Sequence, residues 1–309
     1  MITIGSRKSK LATWQTETVA ESLNKSGMVT QINSMETIGD KVLDTSIAKI
    51  GSKGVFTVEL EEQLADGTTD IAVHSAKDMQ SQLPDGFTLI AFTEREKVND
   101  VLLSADASVD IADSSRPLVV GTSSVRRKAF LKHYYPHIQA VEMRGNLQTR
   151  IKKMKSGDCD ALMLAYAGVK RMGYEDMIVA EFDEKLFTPP VGQGCIAIEA
   201  ATALPAEKVA QIRESLNNRE SEYCLLAERA FLKKLEGGCS IPAFGYATLE
   251  DGTITLNAGL ASLDGSKILR TTDTVSVQDA EMLGDRVARY ILDNGGREML
   301  AEIRRLQAE

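Results

Sequence analysis

The 309-residue sequence predicts an α/β protein: two related α/β lobes around a cleft, followed by a small C-terminal α+β domain with a three-stranded antiparallel sheet. Three observations predict it. A strand–turn–helix block at the N-terminus recurs near residue 118, a helix–turn–strand block recurs downstream of each copy, and the patterning changes near residue 217.

The first block, MITIGSRKSKLATWQTETVAESL, runs from an apolar strand through Gly5-Ser6 into a helix with apolar residues at helical spacing. LVVGTSSVRRKAFLKHY repeats that order through Gly121-Thr122-Ser123-Ser124. The second block, LEEQLADGTTDIAVHSAKD, reads helix, glycine turn, strand, and IKKMKSGDCDALMLAYAGVKR does so again, with Asp70 and Asp160 opening the two apolar strands. Each lobe should therefore hold a mainly parallel sheet. EREKVND and SADASVDIADSSRP read as the connection between the lobes, and FTPPVGQGCIAIEA as the return, with CIAIEA a further strand of the first lobe. Beyond it SEYCLLAERAFLKKLEGG is an amphipathic helix stopped by Gly237-Gly238. Strands at 243–250, 253–261 and 267–275 follow, separated by Asp251-Gly252 and Asp264-Gly265, and two helices close the chain. The expected division is 1–98 with 194–216, 99–193, and 217–309.

Composition narrows the chemistry. Hydrophobic residues make up 43% and charged residues 26%, the balance of a globular chain that faces water. No apolar run approaches the roughly 20 residues that span a bilayer, and the N-terminus carries no secretory pattern, so a cytoplasmic protein without membrane contact is expected. The four cysteines, Cys159, Cys195, Cys224 and Cys239, form no C-x-x-C pair, and His74, His133 and His137 form no H-E-x-x-H motif. No protein-held metal is expected, and any cofactor should be organic.

Net charge is −8, yet residues 120–155 hold nine basic side chains against the single acid Glu142, so that stretch is +8 and the remainder −16. Lys152, Lys153 and Lys155 read as a solvated helix face. Arg126, Arg127, Arg144 and Arg150 stand at turns and helix starts, which a solvated face does not explain. An acidic remainder would repel a long polyanion, so nucleic acid is not the expected partner; a compact ligand with several carboxylates or phosphates is. In such sheets ligands bind beyond the carboxyl ends of the strands, where GSRKS, HSAKD, GTSSVRR and AGVKR stand. Cys239 follows a glycine pair on a short loop, where a thiol near cations would be nucleophilic. Asp78, beside Lys77, can balance charge or stabilise a developing cation and move a proton. His74 reads as a core histidine. The residues leave two classes open: a binding or sensor module on the plan of the periplasmic binding proteins, and an enzyme carrying a covalently held group.

GSRKSKLATWQ, GDKVLDTSIAKIGSKGVFTVELE, DIAVHSAKD, VGTSSVRR, RGNLQTR, AGVKR, VGQG and LEGGC stand in the order and approximate spacing of the porphobilinogen deaminase (hydroxymethylbilane synthase) family, which the chain resembles over almost its whole length. The resemblance implies a transferase of heme and tetrapyrrole biosynthesis. Such an enzyme joins four porphobilinogen molecules head to tail with loss of ammonia, then releases hydroxymethylbilane by hydrolysis. It implies a dipyrromethane cofactor held by a thioether through Cys239, whose thiolate suits capture of the electrophilic exocyclic carbon left when porphobilinogen loses ammonia. By motif, Lys77, Thr122, Ser123, Ser124, Arg126 and Arg127 should bind cofactor carboxylates. Arg7, Ser9, Arg144, Arg150 and Arg171 should line the substrate site, with Asp78 catalytic. Lys49, Lys53 and Phe56 fall in the family's mobile loop, and a monomer is implied. Cys159, Cys195 and Cys224 remain structural. The chain departs from the family pattern at Lys8, at Ala76, at Met79-Gln80 in place of a branched residue and proline, and at Cys195.

Overall fold

The computed structural model describes residues 1–37, 57–238 and 240–308; Lys49, Lys53, Phe56 and Cys239 therefore lie outside the described residues. In chain order the first elements are β1 (Ile2–Arg7), α1 (Lys10–Lys25), β2 (Thr30–Met35), α2 (Val58–Ala65), β3 (Ile71–Ser75) and β4 (Phe87–Phe92). Next come β5 (Asp100–Leu103), β6 (Leu118–Gly121), α3 (Val125–Tyr134), β7 (Ile138–Val141), α4 (Leu147–Lys155), β8 (Ala161–Ala165), α5 (Tyr166–Arg171) and β9 (Ile178–Glu181). The chain continues through β10 (Ile196–Ala201), α6 (Ala206–Leu216), α7 (Arg219–Lys234), β11 (Ala243–Glu250), β12 (Thr253–Ala261), β13 (Ile268–Ser276), α8 (Ala280–Ile291) and α9 (Arg297–Ala308).

Two five-stranded sheets share one plan. Their orders are β2-β1-β3-β10-β4 and β7-β6-β8-β5-β9. The first three strands of each are parallel, and the fourth runs against both its neighbours. The duplication extends to single hydrogen bonds. Asp70 accepts the Thr3 backbone N–H at 2.8 Å, and Asp160 accepts that of Val119 at 2.7 Å, so each acid fastens the third strand in its sheet's order to the second. Both sheets are mainly parallel, as the patterning predicts, and CIAIEA supplies β10 to the first. One boundary differs from the reading of the connection: Asp100, the last residue of EREKVND, already opens the reversed strand β5.

Three helices that start at the carboxyl ends of strands are capped by hydroxyl or amide side chains. Ser9 accepts Ala12 N–H at 3.3 Å at the start of α1, Ser124 accepts Arg127 N–H at 3.4 Å at α3, and Asn146 accepts Thr149 N–H at 2.9 Å at α4. On α1, Thr16, Val19, Ala20 and Leu23 recur at helical spacing and are buried, with Val19, Ala20 and Leu23 packed against Ile2, Ile4 and Ile71.

The third sheet has the order β11-β12-β13, antiparallel throughout. Glu250 pairs with Thr253 across Asp251-Gly252, both at positive φ (48° and 74°), which is the two-residue turn that the twist of a hairpin favours. Helices α7 and α8 cover this sheet. They approach so closely at Gly284 that a Cβ there would lie 2.1 Å from the Ala227 carbonyl oxygen. Phe244 of β11 joins Phe130 and Phe187 of the second lobe, and Leu225 of α7 joins Met79 and Phe92 of the first. The C-terminal unit is thereby packed on both lobes.

Candidate active site

After β3 the chain makes one 3-10 turn, Ala76–Asp78, and Asp78 faces a cavity of about 60 Å³ lined also by Arg7, Ser9, Gln15, Thr57, His74 and Ser75. Gln15 of α1 donates to the Ser75 hydroxyl at 3.0 Å, tying the helix to the end of β3. The return segment presses on this turn at Gly192 (φ +78°), where a Cβ would stand 2.8 Å from the Ala76 carbonyl carbon and 2.9 Å from Lys77 N. Only glycine fits that conformation at that distance.

The second lobe contributes a buried cation cluster. Arg126 and Arg127 lie in the first turn of α3 and share one carboxylate: Arg126 Nη2 donates to Asp100 Oδ2 at 2.7 Å, and Arg127 Nη2 and Nε donate to Asp100 Oδ1 at 2.7 and 3.1 Å. Their remaining hydrogen bonds go to backbone, Arg126 Nη1 to Thr188 O and Arg127 Nη1 to Met163 O, each at 3.0 Å. Burial works to raise the Asp100 pKa, but the two guanidinium charges, with hydrogen bonds from Arg127 and Gln193, hold it far below the usual carboxylate range. Gln193 is fully buried, donates to Asp100 Oδ1 at 3.0 Å and to Val98 O at 2.6 Å, and accepts from Lys77 Nζ at 3.2 Å. It thus couples the Lys77 side chain of the first lobe to the arginines of the second. Burial, with Arg127 beside it, lowers the Lys77 ammonium to about 8 despite the attraction of Asp78 and Asp100.

Arg150 of α4 donates from Nε to Gly145 O at 2.7 Å. Burial and Arg127 lower its guanidinium to about 10, while Asp78 and Glu142 pull it upward, so Arg150 and Lys77 both sense Asp78 and Arg127. Arg144 is half-buried just before Gly145. Thr122 is buried and accepts Ser124 N–H at 3.3 Å, and Ser123 donates to Met143 O at 2.6 Å; with Ser124 capping α3, these hydroxyls all contact backbone. Arg171 stands apart, donating to Gly194 O at 2.7 Å with its guanidinium carbon 5.5 Å from the Trp14 ring centre, a contact between the lobes.

The site-residue expectations thus gather into two neighbouring groups, with Arg171 at the return segment. Asp100 and Gln193 were absent from them. Gln193, a polar residue between two glycines in VGQG, carried a signal for backbone crowding. Asp100, an acid opening an apolar run, gave no sign of its partners 26 and 27 residues away. A second buried pair, Arg95 with Glu228 of α7 (2.5 and 3.1 Å), was likewise missed; Glu228 also accepts the backbone N–H groups of Gly192 and Ala247, each at 2.8 Å.

Cys159, Cys195 and Cys224 are buried free thiols. Burial raises all three, Cys195 to about 11 and Cys224 to about 12, which leaves little thiolate at neutral pH. Among the described residues no three His, Cys, Asp or Glu side chains cluster as metal ligands would, and no helix is long and apolar enough to cross a membrane.

Residues 2–208 match the family model described as porphobilinogen deaminase, dipyromethane cofactor binding domain, and residues 222–293 match porphobilinogen deaminase, C-terminal domain. A porphobilinogen deaminase of Desulfosudis oleivorans is 58% identical over 306 residues, covering 99% of each chain. One of Cytophaga hutchinsonii is 52% identical over 304 residues, covering 98% of this chain and 97% of the relative. Among solved structures, the methionine binding protein MetQ aligns with 69% of this chain and 89% of its own at 11% identity, with a TM-score of 0.44.

Proposed function

Since the chain belongs to the porphobilinogen deaminase family, we propose a division of labour among its residues for that family's reaction. The activity is the deaminating, head-to-tail condensation of four porphobilinogen molecules to hydroxymethylbilane, and the cofactor is a dipyrromethane. When bound, that group supplies the pyrrole carbon to which the first substrate unit is joined.

One observation carries the assignment of the binding residues. Arg126 and Arg127 share a single buried carboxylate, Asp100, and Lys77 is joined to it through Gln193, so these groups hold more positive than negative charge. Arg126 Nε is buried without a hydrogen bond to the described residues. Buried cations in excess call for anions. Each pyrrole unit brings an acetate and a propionate, and this donor set fits them: Arg126, Arg127 and Lys77 would hold cofactor carboxylates, with the Thr122–Ser124 turn beneath. Arg7, Ser9, Arg144 and Arg150 would receive the carboxylates of incoming substrate, and Arg171 would line the cleft where the lobes meet.

Asp78 lies between these groups. Ionised, it can accept hydrogen bonds from pyrrole N–H groups, offset the positive charge that develops on substrate as ammonia departs, and take the ring proton lost as the new carbon–carbon bond is completed. Cys239 is the attachment residue in this reading: the other three thiols are buried and raised, whereas Cys239 follows Gly237-Gly238 five residues past the end of α7. We assign the first lobe to 1–98 and 194–216, the second to 99–193 and the C-terminal domain to 217–309. We take the enzyme to act as a monomer in the cytoplasm; one chain supplies every assigned residue, and free thiols suit a reducing compartment.

Intact mass tests the attachment. Protein purified after exposure to porphobilinogen should exceed its polypeptide mass by two pyrrole units, and Cys239→Ala should not; an adduct persisting in that variant refutes the assignment.

A further inference from the structure

Gln80 joins three elements that meet behind Asp78. Its side-chain Nε2 lies 3.3 Å from Thr57 Oγ1 and 3.3 Å from Glu61 Oε1, at the start of α2. Its backbone carbonyl accepts Arg229 Nη2 of α7 at 2.9 Å. Thr57 lines the same small cavity as Asp78. Between Asp78 and Gln80, Met79 is buried against Leu225 of α7. The turn that aims Asp78 is therefore held on its far side by one amide and one apolar anchor.

The surroundings of that amide are charged. Glu61 is buried, and burial raises its carboxyl pKa; Glu199 of β10 raises it further, while the Thr57 hydrogen bond and His74 of β3 oppose them. His74 Nε2 stands 3.0 Å from Glu199 Oε2. Arg229 is lowered to about 10 by burial, with Glu199 pulling it back. Asp78 itself faces the cavity from the other side. Gln80 thus contacts Glu61 and Arg229, which interact in turn with Glu199 and His74. Its N–H donors favour the ionised form of Glu61, the form that holds the amide in place.

We propose that Gln80 is a positioning residue for the reaction: by binding Thr57 and the Glu61 carboxylate it locks the Ala76–Asp78 turn against α2 and α7 and so fixes where the Asp78 carboxylate stands. This rests on the assignment of Asp78 above. Protonated Glu61 loses the charge that holds the amide, and the lock loosens as pH falls.

Gln80→Met keeps the length of the side chain and removes its donors. In cofactor-loaded enzyme, with loading verified by intact mass, it should lower kcat about tenfold and leave KM within about twofold. The acidic limb of the kcat–pH profile should flatten, because protonation of Glu61 then has no amide lock to loosen. A purely structural residue would change thermal stability without moving that limb. Asp78→Asn is measured beside it. If Asp78→Asn is inactive while Gln80→Met keeps the wild-type kcat and pH profile, the positioning role is wrong and the Asp78 assignment stands. If Asp78→Asn remains active, the Asp78 assignment itself has failed. Should Gln80→Met not yield folded protein, Glu61→Gln decides the matter: it should flatten the acidic limb, and a wild-type limb overturns the proposal.

Discussion

The two lobes are built on one backbone plan and differ in the charges assembled on it. Each sheet has a reversed strand in its fourth place, and each of these strands carries a buried acid: Asp100 on β5 and Glu199 on β10. Asp100 faces two guanidinium groups that cannot shed their charge, with Lys77 close by. Glu199 faces the single imidazole of His74, with Glu61, whose carboxyl pKa burial raises, and Arg229 nearby. The second lobe therefore holds a fixed positive surplus, suited to a ligand that brings its own carboxylates. The first holds a cluster that includes Glu61, a carboxyl whose pKa burial raises, behind Asp78, to which we assign the proton transfers. The two lobes share a scaffold, and on the proposed assignment the partners of one acid in each sheet separate binding from chemistry.

The largest expected effect breaks this contrast on the side of the first lobe. Asp78→Asn retains shape and loses charge, so turnover of porphobilinogen should fall by about 100- to 10,000-fold while the covalent cofactor still assembles. Near-normal hydroxymethylbilane formation by the loaded variant would remove Asp78 from the mechanism.

Next come the two buried acids, compared directly. Asp100→Asn leaves Arg126 and Arg127 facing one another without their counter-charge and should cost about 3–5 kcal/mol in denaturant unfolding. Glu199→Gln should cost about 1–3 kcal/mol, since it alters a contact with one imidazole and strands no pair of guanidinium groups. Equal losses would mean that the lobes hold their acids in the same way.

How much of this was legible in the sequence depends on the range of each interaction. The strand–glycine–helix blocks, the Asp70 and Asp160 strand openings and the Asp251-Gly252 turn are local signals, and each stands where the pattern predicts. The reversal of β5 and β10 was not readable, because strand direction is decided by which neighbours a strand meets in space. The convergence of Arg126 and Arg127 could be suspected from charge density, yet their shared Asp100 lies in an apolar stretch on another strand. Gln80 showed only as a departure from a motif; its meaning needed α2 and α7 beside it.

The smallest effect sharpens the charge argument for the second lobe. The folded protein releases the Lys77 proton near pH 8, while the unfolded chain keeps it to about 10.5. Between those values the unfolded state binds more protons, so stability rises with pH; the cost of a charged Lys77 is fully present below 8 and relieved as pH climbs through the window. In the Cys239→Ala background, which the proposed attachment leaves without cofactor, the stability advantage of Lys77→Met should be greatest below pH 8 and shrink toward pH 10.5. A difference that does not vary with pH would show that the cluster does not strain this lysine.

The position of β10 also orders the birth of the molecule. It lies between β3 and β4, yet it is encoded after every strand of the second sheet. On the ribosome, the N-terminal sheet must wait with its fourth place vacant until Ile196–Ala201 have been synthesised, whereas β5–β9 are all available by Glu181. The half of the protein that is made first is therefore the half that can be finished only second.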